Sequence, residues 1–297
     1  MKNFWIIDER EIWHASACRA AREHGYQAKR IRTGYEVDGE GIGFIRPHAD
    51  WRVLPRNRVD FDLMRQSLTM IQDPEQVRLY EDKSGQFAKW GDWMPDTWRF
   101  TDLESALAHL EHSDYPTVSK ADVGASSVNV RILKTKAEAA AHVKQLFGTG
   151  IKVNHGAQCP LTLQKGYALL QRFIPHKDTY RVNAMGDARA VFFRHCYPDR
   201  PVAQTGNVDP AYEMTDELES LLEYSDRFFS HAGTKWCALD VLKDTDGSWK
   251  LLETSLAWPW PSPGDCDNGT IFRSGRKKWI QMFEVMFDEI ERGAWNT

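Results

Sequence analysis

The chain has 297 residues, 42% of them hydrophobic and 27% charged, which is an ordinary balance for a globular protein with a sizeable core. Its 38 basic and 42 acidic residues give a formal net charge of −4, which argues against a nucleic-acid-binding protein that works through an overall basic field. No apolar run is long enough for a membrane span or a signal-peptide core, so we expect a cytoplasmic protein. The five cysteines are scattered without a CxxC pair, which predicts reduced thiols and no zinc site.

The N-terminal 72 residues alternate short apolar runs with a helical segment. The pattern predicts one helix, at 14–24 with Gly25 as its stop, and three strands, at 4–8, 28–31 and 43–46. This alternation is typical of a small Rossmann-like βαβ lobe.

The middle of the chain carries helix-start signals followed by apolar strands. Asp73-Pro74, Thr101–Glu104 and Thr135–Glu138 predict the starts of helices that cover 75–90, 101–112 and 135–148. Predicted strands lie between and after them, at 115–120, 128–133 and 167–174. The segment 148–165 has no clear period and is predicted to be a loop.

The C-terminal third reads as two hairpins and two helices. The hairpins are predicted at 181–194, with Gly186-Asp187 at the turn, and at 236–254, with Asp246-Gly247 at the turn. Thr215 caps a predicted helix that ends near 231, and a last amphipathic helix is predicted at 276–292.

The second hairpin places two acids opposite each other. If Asp246 and Gly247 are the central turn residues, paired positions sum to 493, and Asp240 faces Glu253 with Cβ atoms about 5 Å apart. Both acids lie in otherwise apolar strands, where like charges need a neutralising Mg²⁺ or a shared proton. A solvated pair, or a register slipped by one residue, is the alternative.

Two further segments carry groups suited to a phosphate ester. Lys120 ends a strand and precedes a loop of small residues, whose backbone N–H groups can approach an anion; an ordinary hairpin with a surface lysine is the alternative. After the strand that ends near 174, Asp178 could hold a ribose and Arg181 a phosphate or carboxylate, unless both are surface charges.

In this order the features resemble the ATP-grasp superfamily, which includes D-alanine–D-alanine ligase, glutathione synthetase and RimK-type ligases. The resemblance covers most of the chain and is strongest between 82 and 255, where Asp82-Lys83 precedes a P-x-T segment at 95–97. It implies an α/β fold made of α+β lobes. The implied division is an N-terminal pre-ATP-grasp lobe at 1–72 and an ATP-grasp region at 73–297, with a central lobe at about 98–170 and a C-terminal lobe at about 171–297.

The resemblance also implies a role for individual residues. Lysines and loop amides would contact the phosphates of ATP, a hinge strand would read adenine, and an acid would hold the ribose; these residues are Lys83, Lys120, Gly124, Ala125, Ser126, Ser127, Gln171, Arg172, Phe173, Ile174 and Asp178. Arg181 and Arg194 would act on the transferred phosphate, and Asp240, Glu253 and Ser255 would bind Mg²⁺. The sequence departs from the family pattern at Ser255, where the family has asparagine, and at the two residues that separate Asp178 from Arg181.

The implied activity is an ATP-dependent carboxylate–amine ligase that forms an amide through an acyl phosphate. An ATP-grasp kinase and a nucleotide-binding scaffold without catalysis are the alternatives. The expected partners are a small carboxylate and an amine, such as an amino acid or a peptide, with a homodimer left open. A basic stretch at Arg52, Arg56 and Arg58 could meet an acidic substrate or nucleic acid, unless it is a solvated face. Trp258-Pro259-Trp260 lies where the family places acceptor-site residues; a structural bend is the alternative.

Overall fold

The computed structural model describes residues 2–8, 13–48, 50, 53–124, 127, 129–154, 161–197, 200–256, 271–273 and 282–295. Within these residues no helix is long and apolar enough to cross a membrane. The described cysteines, Cys18, Cys196 and Cys237, are free thiols, as predicted. Arg52 and the segment Trp258-Pro259-Trp260 lie outside the described residues.

A parallel four-stranded sheet forms the N-terminal part of the chain, in the order β2-β1-β3-β4. Its elements are β1 (Lys2–Ile7), α1 (His14–Glu23), β2 (Tyr26–Arg30), β3 (Gly41–Ile45), α2 (Leu54–Met64) and β4 (Leu68–Met70). Residues 4–7 of β1 are fully buried and apolar, as expected for a parallel strand covered on both faces. The C-terminal helix of the described chain packs on this sheet, with Phe287 against Phe4. The predicted βαβ arrangement is confirmed.

The predicted single helix at 75–90 is wrong, because the chain breaks into α3 (Pro74–Leu79) and α4 (Lys83–Trp90). Tyr80 is extended and Glu81 has a φ of +56°, a left-handed conformation that costs about 1 kcal/mol or more outside glycine. Asp82 then caps α4 by accepting a hydrogen bond from the N–H of Gly85 at 2.8 Å. The break places Lys83 at the first turn of α4.

An antiparallel sheet follows, in the order β5-β10-β6-β7. Its elements are β5 (Thr97–Phe100), α5 (Leu103–Glu111), β6 (Thr117–Lys120), β7 (Val130–Leu133), α6 (Lys136–Phe147) and β10 (Ala168–Arg172). The two helices bury one face, which carries Leu133 and Leu170. Strand alternation therefore directs Lys120 to the opposite face. The loop predicted at 148–165 is partly wrong, since Ile151–Val153 (β8) and Thr162–Gln164 (β9) pair as a short antiparallel ladder.

The third sheet runs in the order β13-β12-β11-β14-β15, with β16 also paired to β12. Its strands and the last helices are β11 (Asp178–Met185), β12 (Ala188–Tyr197), β13 (Arg200–Pro210), α7 (Asp216–Ala232), β14 (Trp236–Lys243), β15 (Trp249–Ser255), β16 (Ile271–Phe272) and α8 (Met282–Glu291). The hairpin that turns at Gly186-Asp187 and the Thr215-capped helix are confirmed. The hairpin of β14 and β15 is also present, but with a longer loop than predicted, and β13 and β16 were not predicted. Helix α7 covers one face of this sheet, and Leu239 and Phe228 lie in the core between them.

Candidate functional site

Strands β14 and β15 bring Asp240 and Glu253 into register as predicted, although the predicted turn is wrong. Near the turn Lys243 pairs with Trp249, so the loop between them has five residues. The register then shifts by one between Asp240 and Val241, which leaves Leu252 as the extra residue of a β-bulge. The bulge compensates for the longer loop and restores the Asp240–Glu253 pair.

Arginines neutralise Asp240, so neither a bound metal nor a shared proton is needed to offset its charge in this structure. Arg181 donates from Nε to Oδ1 at 2.7 Å and from Nη2 to Oδ2 at 2.8 Å, and Arg194 donates from Nη1 to Oδ2 at 2.5 Å. Burial alone would raise the pKa of Asp240, but these two guanidinium groups hold it well below its usual range. Asp240 is therefore an ionised carboxylate at neutral pH.

Lys83 joins Glu253 to the loop after β6. Its Nζ lies 3.2 Å from Oε2 of Glu253 and donates to the carbonyl oxygen of Gly124 at 3.1 Å. Burial works against the charge of Lys83, yet the carboxylates of Glu253 and Glu81 raise its pKa above the usual value. The like-charge problem predicted for the acidic pair is thus resolved by Lys83 on one acid and by arginines on the other.

Lys120 is the cation of this cluster with no carboxylate within 4 Å among the described residues. Its Nζ donates to the carbonyl oxygen of Leu252, the bulged residue, at 3.2 Å. Burial lowers the pKa of Lys120 to about 8, despite the nearby carboxylates of Glu253 and Asp240. A buried ammonium with one neutral partner is suited to an incoming anion.

The small-residue loop is anchored at Gly124. Its φ is +118°, and a Cβ there would lie 2.1 Å from Nδ2 of Asn129, so only glycine fits. The N–H of Gly124 donates to Oε2 of Glu81 at 2.9 Å. Sequence reasoning missed Glu81, which belongs to no motif. Ser127 has a φ of +58°, and Ala125 and Ser126 lie outside the described residues.

Asp178 is not brought into this cluster. It pairs with His195 across β11 and β12, whereas Arg181 pairs with Asp240, and residues three apart on a strand face opposite sides. The carboxylate of Asp178 lies 2.8 Å from Nδ1 of His195. The residue two before Arg181, on the same face, is Thr179. The geometry thus gives no support to the predicted ribose-binding role of Asp178.

The predicted hinge residues lie at the end of β10. The side chain of Gln171 donates to Oγ1 of Thr97 at 2.7 Å, and the carbonyl oxygen of Gln171 accepts from the hydroxyl of Thr117 at 3.0 Å. Arg172 forms ion pairs with Asp244 and Asp96. Ile174 is buried and Phe173 is partly buried. Adenine recognition, which the resemblance assigns to backbone groups of this segment, stays a prediction.

The residues present fit a magnesium nucleotide. Cationic side chains would meet the phosphates, and Asp240 and Glu253 offer the carboxylate oxygens that Mg²⁺ prefers. Ser255 lies two residues beyond Glu253 on the same face of β15, opposite Ala238. On the face of β11 that carries Arg181, Thr179 Oγ1 and Asn183 Oδ1 are buried without a hydrogen-bond partner among the described residues.

The chain resembles known proteins in its structure, but comparisons of its sequence find no match. No protein-family model matches the sequence, and no curated protein matches it. The chain is similar to the crystal structure of a RimK domain ATP-grasp protein from Sphaerobacter thermophilus, with a TM-score of 0.62 and 15% identity over 97% of this chain and 99% of that one. It is also similar to the D-cycloserine synthetase DcsG, with a TM-score of 0.61 and 15% identity over 98% and 99% of the two chains.

A third similar structure is the ATP-grasp ligase PsnB complexed with minimal precursor, Mg and ADP. Its TM-score is 0.60, with 15% identity over 99% of this chain and 98% of that one. All three alignments run through nearly the whole length of both chains, so the likeness includes the N-terminal sheet as well as the two antiparallel sheets. The chain therefore has the ATP-grasp fold.

Proposed function

We propose that this protein is an ATP-dependent carboxylate–amine ligase that forms an amide bond through an acyl phosphate, with Mg²⁺ as its metal. The observation that carries the proposal is one cluster in which side chains from six elements meet. These side chains are Lys83 of α4, Lys120 of β6, Arg181 of β11, Arg194 of β12, Asp240 of β14 and Glu253 of β15. Such a collection of cations around two carboxylates suits phosphoryl transfer from a magnesium nucleotide.

The first step would join the substrate carboxylate to the γ-phosphoryl group. A carboxylate oxygen attacks the γ-phosphorus, a new oxygen–phosphorus bond forms, and the bond from phosphorus to the oxygen of ADP breaks. Lys83 and Lys120 would stabilise the charge that develops on the phosphates, and Arg181 would hold the transferred group. Asp240 and Glu253 would hold Mg²⁺, which offsets phosphate charge when bound.

The second step would form the amide. The amine attacks the acyl carbon, phosphate leaves with the bonding electron pair, and the nitrogen releases its proton to solvent. Arg194 would remain beside the departing phosphate, since its guanidinium already lies next to Arg181 on the carboxylate of Asp240. No side-chain nucleophile is required, because activation comes from the mixed anhydride.

The chain is also similar to PsnB complexed with a precursor peptide and AMPPNP, and this similarity supports an amino acid or a peptide as the substrate. The test is ADP release from purified protein and Mg-ATP over a panel of amino acids, peptides and nucleosides, with mass detection of the product. We expect ADP release that requires both a carboxylate and an amine, with a product lighter than the two substrates by one water. ADP release with a phosphorylated product and no amine would indicate a kinase, and binding without ADP release would indicate a scaffold.

A further inference from the structure

The peptide group of Gly124 is held on both sides by charged side chains. Its N–H donates to the carboxylate of Glu81 at 2.9 Å, and its carbonyl oxygen accepts from the ammonium of Lys83 at 3.1 Å. Lys83 in turn contacts Glu253 at 3.2 Å. The peptide group of Gly124 is thus held between the carboxylate of Glu81 and the ammonium of Lys83, and Lys83 in turn contacts the carboxylate of Glu253.

Glu81 reaches this position through a conformation that its own backbone disfavours. It lies in the break between α3 and α4 with a φ of +56°, a region that residues other than glycine rarely occupy. Its carboxylate raises the pKa of Lys83, while burial and the nearby carboxylate of Glu253 raise the pKa of Glu81 itself. A strained residue that places an anion next to another anion indicates a specific role for that carboxylate.

We propose that Glu81 acts as an internal substitute for a nucleotide phosphate, and that its carboxylate must leave the N–H of Gly124 when ATP binds. The inference rests on the proposed function. A backbone N–H at the start of a small-residue loop, next to a buried lysine, is the donor set that binds phosphate oxygens. In this structure the protein's own carboxylates occupy both donors, Glu81 at Gly124 and Glu253 at Lys83.

The consequence is competition between Glu81 and the nucleotide. The β- and γ-phosphates carry negative charge toward Lys83, and an ionised Glu81 beside it opposes them through space. Glu81 thus holds the peptide group of Gly124 in place in the absence of nucleotide, and it weakens nucleotide binding. AMP and adenosine, which carry no β- or γ-phosphate, should not feel this competition.

The experiment measures the affinity of ATP, ADP and AMP, each with Mg²⁺, by titration calorimetry for the full chain and two variants. Glu81→Gln removes the charge and keeps the size, and Glu81→Asp keeps the charge but shortens the reach to Gly124. We expect Glu81→Gln to bind ATP and ADP about threefold to tenfold more tightly, with Glu81→Asp intermediate and AMP unchanged in both. Glu75→Gln, which carries the same change at an acid paired with Lys89, is the matched control and should bind all three as the wild type does.

A second measurement follows the Gly124 amide itself. Its hydrogen exchange in the nucleotide-free protein should be faster in Glu81→Gln and Glu81→Asp than in the wild type, and equally slow in all three with Mg-ADP bound. If the wild type binds ATP and neither Glu81 variant binds ATP more tightly than the wild type does, the inference is overturned and the proposed function stands. Wild type that binds no nucleotide would overturn the proposed function, and the inference with it.

Discussion

Neighbouring residues of β11 and β12 form two ionic clusters on opposite faces of one sheet. On the face that carries the candidate site, Arg181 and Arg194 bind Asp240. On the α7 face, one residue further along β12, His195 lies between two carboxylates, with Nδ1 2.8 Å from Asp178 and Nε2 2.8 Å from Asp209. Both clusters combine acids with bases at similar distances.

What separates the clusters is burial. The side chain of Asp240 is 5% exposed, whereas that of Asp209 is 72% exposed. Interactions between charges are strong where water is excluded and weak where water and salt screen them. The same residue types can therefore carry a site on one face and contribute little on the other, and the following predictions test that difference.

The largest effect is expected when Asp240 loses its charge. Asp240→Asn would leave two buried guanidinium groups without their counter-ion, which should lower the free energy of unfolding by about 3–5 kcal/mol. Asp209→Asn on the exposed face should lower it by less than about 1 kcal/mol. Urea denaturation of the two variants makes the comparison, and equal losses would mean that burial does not distinguish the clusters.

Glu253→Gln should impair the reaction more than the fold. The amide is a poorer metal ligand and no longer pairs with Lys83, so we expect ADP formation to fall about a hundredfold or more. Glu217→Gln, on the exposed surface and paired with Lys243, should retain full activity. A Glu253→Gln protein that keeps its activity but loses several kcal/mol of stability would show that the acid is structural and the metal assignment is wrong.

The contribution of Lys120 to binding affinity should increase with the number of phosphates on the nucleotide. Lys120→Ala is expected to weaken ATP binding by about 1.5–3 kcal/mol, about tenfold to a hundredfold, because a charge-assisted contact is lost. AMP binding should change much less. An equal loss for ATP and adenosine would mean that the lysine acts through folding.

The pKa of Lys120 adds a pH profile to this prediction. Because burial holds its pKa near 8, the ammonium is present below pH 8 and is lost as the pH rises through that value. ATP affinity of the wild type should therefore fall between pH 7 and pH 9, with proton uptake on binding at the upper end. The Lys120→Ala variant should lack this part of the profile in titrations repeated in buffers of different ionisation enthalpy.

The smallest effects belong to the exposed cluster. Hydrogen bonds to Asp209 and Asp178 raise the pKa of His195, so its contribution to stability is present below about pH 6.5 and is lost as the pH rises through the folded-state pKa. Exposure limits this contribution to less than about 1 kcal/mol. Asp178→Asn should leave ATP affinity within about twofold of the wild type; a tenfold loss would restore the ribose-binding role predicted from the sequence.

The order of the motifs predicted the fold, and the Asp246-Gly247 turn signal predicted that the last two strands form a hairpin, but this signal did not determine the register of the hairpin. The Asp240–Glu253 pair was nevertheless predicted with the wrong turn, since the longer loop and the bulge at Leu252 cancel each other. The bulge has no signal in the sequence, because Leu251 and Leu252 are adjacent leucines and a shift of one residue places a leucine at the same position. The predicted pairing of Asp240 with Glu253 was right because the loop shifts the register by one residue in one direction and the bulge shifts it back by one.

Asp178 and Glu81 show why the remainder of the site could not be predicted. Two residues separate Asp178 from Arg181 where the family has one, and this extra residue places Asp178 on the other face of β11. The types of residue in the segment do not indicate on which face each side chain lies. Glu81 lies within a run whose pattern favours one continuous helix, and the extended backbone at Tyr80 with the left-handed backbone at Glu81 ends it. Contacts between Glu81 and Gly124 join positions 43 apart in the chain, so no local pattern encodes them.

Gln86 of α4 completes an edge of the third sheet. Its Oε1 accepts from the N–H of Thr254 at 2.8 Å, and its Nε2 donates to the carbonyl oxygen of Thr254 at 3.2 Å, so the side-chain amide imitates a neighbouring strand. Edge strands with free backbone groups invite pairing with other chains, and the outer edge of β15 is closed at this point. The same two bonds fasten α4, which carries Lys83, to β15, which carries Glu253. A cation and an acid that are 170 residues apart in the chain are thus held together by their own ion pair and by the two hydrogen bonds of Gln86.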